Sequence, residues 1–233
     1  MDIKIFDKQV DAASYTVKIF QAAIDQGAEV FGLATGSTPI PVYDQLVASD
    51  IDFSECVSIN LDEYYGLNSD HPQSYHQFMA DHLFNKKPFK KSYLPDGATD
   101  DLPGELARYD QIIQAHPIDL QILGIGENGH IGFNEPGAPM DGHTQLVQLT
   151  DSTIQANARF FTDPSQVPTQ AISMGLASIS SAKQIVLLAF GANKADAIAK
   201  TVNGPLSNQV PASILKKHDN VTLILDQGAA SQL

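Results

Sequence analysis

The amino-acid sequence predicts an α/β fold with a single doubly wound, mostly parallel sheet and helices on both of its faces. Short β-rich runs alternate with stretches whose apolar residues recur at helical spacing, and this alternation continues along the whole chain. Several strand candidates are almost continuously apolar, as in Ile-Val-Leu-Leu-Ala-Phe at 185–190, which is typical of strands buried on both faces. The 233 residues have 43% hydrophobic content, enough for one core, so we expect one domain over residues 1–233.

Predicted strands and helices alternate from the first residues to the last. Strands are predicted at 3–6, 30–34, 57–61, 120–124, 146–149, 185–190 and 221–225. Helices are predicted at 12–26, 39–48, 74–84, 103–115, 171–179 and 192–202. In sheets of this class ligands bind beyond the carboxyl ends of the strands, so the residues that follow each strand are the first candidates for a functional site.

Composition narrows the possible function classes. The chain has 27 Asp and Glu against 14 Lys and Arg, and its formal net charge of -13 repels nucleic acid and anionic lipid. Residues 1–7 carry charges and no apolar run is long enough to span a bilayer, so we expect a cytoplasmic protein that binds neither nucleic acid nor membrane. The single cysteine, Cys56, lies in an apolar run and is expected to be a buried, inert thiol.

A candidate anion site follows the second predicted strand. The segment Ala-Thr-Gly-Ser-Thr-Pro at 34–39 places hydroxyl residues at the N-cap of the next helix and Pro39 in its first turn. Backbone N–H groups freed by Gly36 and the helix dipole would together attract an anion. An ordinary capped helix start is the alternative. Because the segment lacks the lysine of a Walker loop, it does not predict a nucleoside triphosphate.

Two cations favour the anion-site interpretation. Lys194 falls in the first turn of the helix predicted after Gly191, where a positive side chain opposes the helix dipole unless an anion shares the site. Arg159 stands beside two phenylalanines and is suited to bidentate contact with phosphate. The alternative for Arg159 is a surface ion pair in an acidic protein.

Two acids follow the third predicted strand. Asp62 comes at the edge of the sheet where the ligand should lie, and a partly desolvated carboxylate there can act as a general base on carbon. For its neighbour Glu63 we expect a solvated acid at a strand end. The same solvated role is the alternative for Asp62.

A glycine-rich segment follows the fourth predicted strand. Gly124, Gly126 and Gly129 fit the spacing of a dinucleotide fingerprint, which requires a helix directly after the glycines. Residues 130–143 are interrupted by two prolines and three glycines, so that helix cannot form and the fingerprint is rejected. An irregular polar loop is predicted in its place.

This loop can present Asn128, His130 and Glu135 to one substrate. Histidine exchanges protons readily near neutral pH, and a neighbouring carboxylate can hold its tautomer and increase its basicity. A structural histidine is the alternative interpretation of His130. The remaining six histidines show no metal-ligand spacing, so no metal site is predicted.

Five segments of the chain resemble the glucosamine-6-phosphate deaminase family, which belongs to a larger group that includes the 6-phosphogluconolactonases. They occur in that family's order and with similar spacing; the segments are 33–39, 60–64, 126–136, 156–161 and 191–195. The resemblance implies a modified Rossmann-like fold. It also implies conversion of glucosamine 6-phosphate and water to fructose 6-phosphate and ammonia without an external cofactor, because the substrate's own carbonyl is the electron sink.

The resemblance further implies the role of each site residue. Asp62 would move a proton from C2 to C1, while His130, assisted by Glu135 and Asn128, would open the pyranose ring. The residues that would hold the 6-phosphate are Gly36, Ser37, Thr38, Arg159 and Lys194.

Two departures from the family pattern matter. Many members carry Asp where this chain has Asn128, and a neutral amide can orient His130 but supplies no charge. Allosteric bacterial members bind N-acetylglucosamine 6-phosphate through Ser, Arg and Lys, where this chain has Ala138, Gln145 and Val147. The chain also lacks the extended tail of those enzymes after its last strand. We therefore expect no such allosteric site, and a monomer or weak homo-oligomer.

Two other functions remain as alternatives. A lactonase acting on a phosphorylated sugar acid would use the same cradle, but that family continues its histidine loop with a Ser-Leu-Phe-Pro type sequence, whereas this chain reads Gly-Phe-Asn-Glu-Pro at 132–136. A non-catalytic sensor of sugar phosphates would bind without turnover.

Overall fold

Helices and strands alternate along most of the chain in the computed structural model, which describes residues 1–158, 161, 163 and 166–233. The strands in these residues are β1 (Asp2–Phe6), β2 (Val30–Leu33), β3 (Val57–Asn60), β4 (Asp62–Tyr64), β5 (Lys91–Tyr93), β6 (Leu120–Leu123), β7 (Gln145–Gln148), β8 (Gln170–Ser173), β9 (Gln184–Ala189) and β10 (Val221–Asp226). The α-helices are α1 (Gln9–Asp25), α2 (Ile40–Ala48), α3 (Tyr75–Met79), α4 (Leu102–Ala115), α5 (Asp151–Ala158), α6 (Leu176–Ser180) and α7 (Ala195–Asn203).

Three further helical turns lie in the part of the chain that the structure describes. A π-helical turn, Ala80–Phe84, continues α3, so the predicted helix at 74–84 is confirmed as two joined pieces. Two 3-10 segments, Ala192–Lys194 and Pro211–Lys217, precede α7 and β10. No helix in the described part of the chain is both long enough and apolar enough to cross a membrane.

The central sheet has seven strands, all parallel, in the order β1-β10-β9-β6-β2-β3-β5. From β2 the chain adds β3 and β5 on one side, and from β6 it adds β9 and β10 on the other. The winding direction therefore reverses between β2 and β6, and a crevice opens at such a switch point beyond the carboxyl ends of the strands. The predicted doubly wound parallel sheet is confirmed.

Core packing explains why the predicted helices form where they do. In α1 the buried residues recur at helical spacing and make one apolar face; they are Ala12, Ala13, Thr16, Phe20 and Ala23. Phe20 stacks on Phe31 of β2 with ring centroids 5.4 Å apart. The helix ends before Gly27, whose φ of 87° suits glycine. Cys56 is buried, as expected.

A second, three-stranded antiparallel sheet was not predicted. Its order is β4-β8-β7, so the predicted strand at 146–149 exists as β7 but lies outside the central sheet. The predicted helix at 171–179 is wrong in its first half, which forms β8, and only α6 is helical. Ala171, Ile172 and Ser173 are all fully buried. Because no exposed residue alternates with them, the sequence pattern here does not distinguish a strand from a helix.

The second sheet has its own small hydrophobic cluster, apart from the main core. The buried members of this cluster are Tyr64, Phe133, Leu149, Phe161, Val167 and Ala171. Phe133 belongs to the segment after β6, so this cluster anchors that segment against the second sheet. The two sheets thereby hold the residues between β6 and β7 from both sides.

Candidate active site

One cavity of about 870 Å³ opens at the switch point between β2 and β6. It receives residues from the segments that follow β2, β3, β6 and β9, and from α5. The lining residues that the sequence singled out are Gly36, Ser37, Thr38, Asp62, Asn128, His130 and Lys194. Parallel strands bring their carboxyl ends to one edge, so segments far apart in the chain meet here.

The cradle, residues 35–38 after β2, forms one wall of the cavity. Gly36 has a φ of 92°, which is costly for any residue with a Cβ. The hydroxyl of Tyr43 donates a 2.5 Å hydrogen bond to the carbonyl oxygen of Ala34 and fixes the entry to the cradle. The helix begins one residue later than predicted, with Pro39 as its N-cap, and no side chain caps it. The prediction that a hydroxyl residue caps this helix is therefore wrong.

Lys194 reaches the same cavity from the turn after β9. Both carboxylate oxygens of Asp226 accept the N–H of Gly191, at 3.0 and 2.9 Å, and Oδ1 also accepts the N–H of Ala229 at 2.8 Å. These contacts fix the turn, in which Gly191 has a φ of 93°. Lys194 is the N-cap residue of α7, at the helix start that the sequence predicted. A cation at a helix start together with the cradle makes a wall suited to an anion.

The turn that carries Lys194 is tied to the loop that carries His130. Nδ2 of Asn193 donates a 2.7 Å hydrogen bond to Oε1 of Glu127. The anion wall and the histidine loop, residues 124–137, therefore have a fixed separation at this point.

Asp62 is buried at the floor of the cavity, with 6% of its surface exposed. It is the first residue of β4, directly after the Leu61 that leaves β3, and its Oδ2 faces Gly132 of the histidine loop. Burial and the nearby charge of Glu63 raise the pKa of Asp62 to about 8. Asp62 is therefore a much stronger base, once ionised, than an ordinary aspartate.

Glu63 is not the solvated strand-end acid that the sequence predicted. It is 1% exposed and accepts the backbone N–H groups of Tyr64, Tyr75 and His76 at 2.8, 2.9 and 3.0 Å. Nδ1 of His76 lies 2.8 Å from Oε2 of Glu63, the oxygen that also accepts the backbone N–H of His76. Because β4 directs alternate side chains to opposite sides, Glu63 fastens the start of α3 while Asp62 faces the cavity.

The histidine loop brings Asn128, His130 and Glu135 together. Nδ1 of His130 lies 3.3 Å from Oε2 of Glu135, an ion-pair distance without the angle of a hydrogen bond. Oδ1 of Asn128 accepts the backbone N–H of His130 at 3.1 Å, and its Nδ2 donates to Glu135 at 2.7 Å. Every residue of this loop is described and none is helical, which agrees with rejecting the dinucleotide fingerprint.

Glu135 is held ionised although it is 7% exposed. Burial alone would raise its pKa, but His130 nearby and hydrogen bonds from Thr153 and Asn128 lower the pKa to about 2. The hydroxyls of Thr153 and Thr150 donate to its Oε1 at 2.5 and 3.2 Å. A carboxylate fixed in this way can orient the His130 imidazole and stabilise its charged form.

The structure also places in the cavity residues for which the sequence predicted no individual role. They are Thr35, Tyr75, Glu127, Phe133, Ser152, Thr153, Gln155, Asn157, Phe190 and Asn193. The α5 residues among them follow a strand of the second sheet, so the rule that ligands follow parallel strands could not find them. Arg159, which the sequence analysis included, lies outside the described residues.

These groups can carry out acid-base chemistry on an anionic substrate. An anion held at the cradle and Lys194 would place its far end near Asp62 and His130, which share the cavity. Within the described ranges, no group of three or more His, Cys, Asp or Glu side chains is arranged to hold a metal ion.

The chain matches known proteins over nearly its whole length. A family model described as glucosamine-6-phosphate isomerases/6-phosphogluconolactonase matches residues 8–224. A glucosamine-6-phosphate deaminase of Latilactobacillus sakei is 60% identical over 231 residues, covering 99% of this chain and 98% of the relative. Another from Oenococcus oeni is 57% identical over 233 residues, covering 100% and 99%.

Solved structures give the same result. The structure of a monomeric glucosamine-6-phosphate deaminase matches with a TM-score of 0.97 at 39% identity, covering 100% of both chains. A 6-phosphogluconolactonase from Trypanosoma brucei shares the fold, with a TM-score of 0.83 at 17% identity over 100% of this chain and 98% of that one. With a family model over most of its residues and relatives more than half identical to it, the chain belongs to the glucosamine-6-phosphate isomerase/6-phosphogluconolactonase family.

Proposed function

We propose that the protein is a glucosamine-6-phosphate deaminase, which converts glucosamine 6-phosphate and water to fructose 6-phosphate and ammonia. The observation that carries this proposal is a buried acid of raised pKa, Asp62, in one cavity with an anion wall and with His130, whose Nδ1 lies 3.3 Å from Oε2 of Glu135. The relatives that are 60% and 57% identical bear this name.

The substrate's phosphate binds at the cradle and the two cations. Backbone N–H groups of Gly36, Ser37 and Thr38 and the side chains of Lys194 and Arg159 hold it. Fixing one end of the sugar orients C1 and C2 against the acid-base groups, which lowers the entropic part of the barrier.

Ring opening is the task of His130. The imidazole takes the proton of the anomeric hydroxyl and returns a proton to the ring oxygen as the C1–O5 bond breaks. Glu135 stays ionised because of its low pKa, so it stabilises the imidazolium form between these two transfers. Asn128 orients both partners through its two hydrogen bonds.

Isomerisation is the task of Asp62. The open-chain aldehyde acidifies the C2 proton, the carboxylate removes that proton, and the electron pair shifts towards C1 and its oxygen. Return of the proton to C1 leaves an imine at C2. Water then adds to C2 and ammonia leaves, which gives fructose 6-phosphate and balances the reaction.

Several wider properties belong to the same proposal. The chain acts as one domain over residues 1–233, in the cytoplasm, as a hydrolase of amino-sugar and N-acetylglucosamine catabolism. It binds neither nucleic acid nor membrane and works as a monomer or weak homo-oligomer, which the monomeric structural relative supports. Allosteric activation is not expected. The side chains at 138, 145 and 147 are uncharged, and Gln145 is engaged with Oδ1 of Asn134 at 3.2 Å.

An ammonia assay tests the proposal. Purified protein is incubated with glucosamine 6-phosphate, with and without N-acetylglucosamine 6-phosphate, and the ammonia released is measured. We expect ammonia at a rate that the second compound does not increase. Rapid hydrolysis of a phosphorylated sugar lactone without any ammonia would assign the lactonase function instead, and binding without turnover would make the protein a sensor.

A further inference from the structure

Helix α5 reaches into the acid-base cluster through Thr153. This residue is 6% exposed, and its hydroxyl donates a 2.5 Å hydrogen bond to Oε1 of Glu135. An ionised carboxylate can only accept, so the single proton of this hydroxyl is directed to Oε1. Hydrogen bonds from a hydroxyl to a carboxylate are short and stronger than those between neutral groups.

The two oxygens of Glu135 have separate sets of partners. Oε1 accepts from the threonine hydroxyls, whereas Oε2 accepts from Asn128 and faces Nδ1 of His130. Thr153 therefore fixes the rotation of the carboxylate about its last bond. Without that hydroxyl, Oε1 would be a buried acceptor with only the longer contact from Thr150, and the carboxylate could turn away from the imidazole.

We propose that Thr153 is a positioning residue for ring opening: through Oε1 it aims the other oxygen of Glu135 at His130. The inference rests on the proposed function, because it assigns a role within that reaction. Ser152, Gln155 and Asn157 of the same helix line the cavity. A substrate that contacts α5 would thereby also set the position of the carboxylate that acts on His130.

A double-mutant cycle between Thr153 and Glu135 tests this role. Thr153→Val keeps the side-chain volume and removes the donor, and we expect kcat to fall about 10- to 100-fold with KM changed less than about twofold, from the strength of a hydrogen bond to a charged group. In a Glu135→Gln background the same substitution should have no further effect on kcat, because Thr153 acts only through the carboxylate. Thr153→Ser retains the donor and should restore most of the activity.

Thr16→Val is the matched control. Thr16 is also a buried threonine, and its hydroxyl donates to the carbonyl oxygen of Ala12 within α1 at 2.9 Å. This variant loses a buried hydrogen bond between residues that do not line the cavity. We expect its thermal midpoint to fall while kcat stays at the wild-type value.

Three results would overturn the inference. They are a wild-type kcat in Thr153→Val, an equal loss of kcat in the wild-type and Glu135→Gln backgrounds, and a loss that Thr153→Ser does not restore. A failure of the proposed function looks different, since the wild-type protein itself would then release no ammonia from glucosamine 6-phosphate.

Discussion

The side-chain amide of Asn128 donates a 2.7 Å hydrogen bond to Oε2 of Glu135. Its amide oxygen accepts the backbone N–H of His130, so exchanging the oxygen and nitrogen of the amide would place an acceptor against a carboxylate and a donor against an N–H. The orientation of the amide is therefore determined by its surroundings. An aspartate at this position could accept from His130 but could not donate to Glu135.

Asn128→Asp should change the acidic limb of the activity profile by adding a second ionisation below that of Asp62. Two carboxylates at hydrogen-bonding distance cannot both stay ionised easily, so the pKa of one of them rises above its present range. Glu135 has a pKa of about 2 in the wild type, which keeps it ionised throughout the working range. The check is kcat against pH for both proteins. Asn128→Ala, which removes the donor without adding charge, is the control and should move the limb less.

An unchanged acidic limb in Asn128→Asp would mean that the hydrogen bond to Glu135 does not set the ionisation of this pair.

The activity of the free enzyme should depend on ionisation of Asp62. Burial and the charge of Glu63 raise the pKa of this acid to about 8, and only the carboxylate can accept the C2 proton. We therefore expect kcat/KM to rise with pH and to level off above about pH 8. The titration of the substrate's own amine, measured separately by NMR, is the control. A flat profile between pH 6 and about 9 would contradict this role.

The stability of the protein should also reflect Asp62. Its pKa is raised from 3.8 in an ordinary aspartate to about 8 in the folded chain, so the folded state holds the proton more tightly than the unfolded state. The stabilisation is fully present below the ordinary pKa and is lost as the pH rises through the folded value. Asp62→Asn imitates the protonated acid. Its thermal midpoint should therefore exceed that of the wild type at pH 8 and approach it at pH 5; a midpoint below the wild type at pH 8 would contradict the raised pKa.

Lys194→Met should weaken substrate binding more than turnover. A charge-assisted contact to phosphate contributes about 1.5–3 kcal/mol, which corresponds to an increase of about 10- to 150-fold in KM. Lys200→Met is the matched control, because Lys200 lies on α7, the helix that Lys194 caps, and does not line the cavity. Equal KM values for both variants would remove Lys194 from the phosphate site.

Gly126→Ala should displace the imidazole of His130. A Cβ at position 126 would lie 2.3 Å from Cε1, 2.4 Å from Nδ1 and 2.6 Å from Nε2 of that ring. Since the ring must move, we expect kcat to fall by at least about 10-fold, as is typical when a general acid-base group is misplaced. At Gly124 an added Cβ meets no atom within 4 Å, so Gly124→Ala is the comparison that leaves the ring in place. Equal kcat values in the two variants would contradict the close fit at Gly126.

The central sheet could be predicted from sequence because its buried strands are short, continuous apolar runs separated by helical patterns. The second sheet could not. β4 has only three residues, and β8 is buried so completely that its pattern fits a helix equally well. In the central sheet the edge strand β5 was not predicted either, because it also has only three residues. Only the pairing of β8 with β4 and β7 decides its conformation.

The site could be predicted where its residues follow parallel strands, as Gly36, Asp62 and His130 do. Glu63 was misjudged because two of its partners, the backbone N–H groups of Tyr75 and His76 at the start of α3, lie 12 and 13 residues further along the chain. Thr153 was missed for a similar reason. Its importance comes from a contact with Glu135 that no local pattern reveals.

Transfer of the C2 proton by Asp62 is tested most directly with glucosamine 6-phosphate that carries deuterium at C2. We expect the wild-type protein to release ammonia and to move the deuterium to C1 of the product or into solvent. Asp62→Asn should bind the substrate, leave the deuterium at C2 and lose at least about 100-fold in kcat, the usual contribution of a general base. Turnover by Asp62→Asn at the wild-type rate would contradict the account.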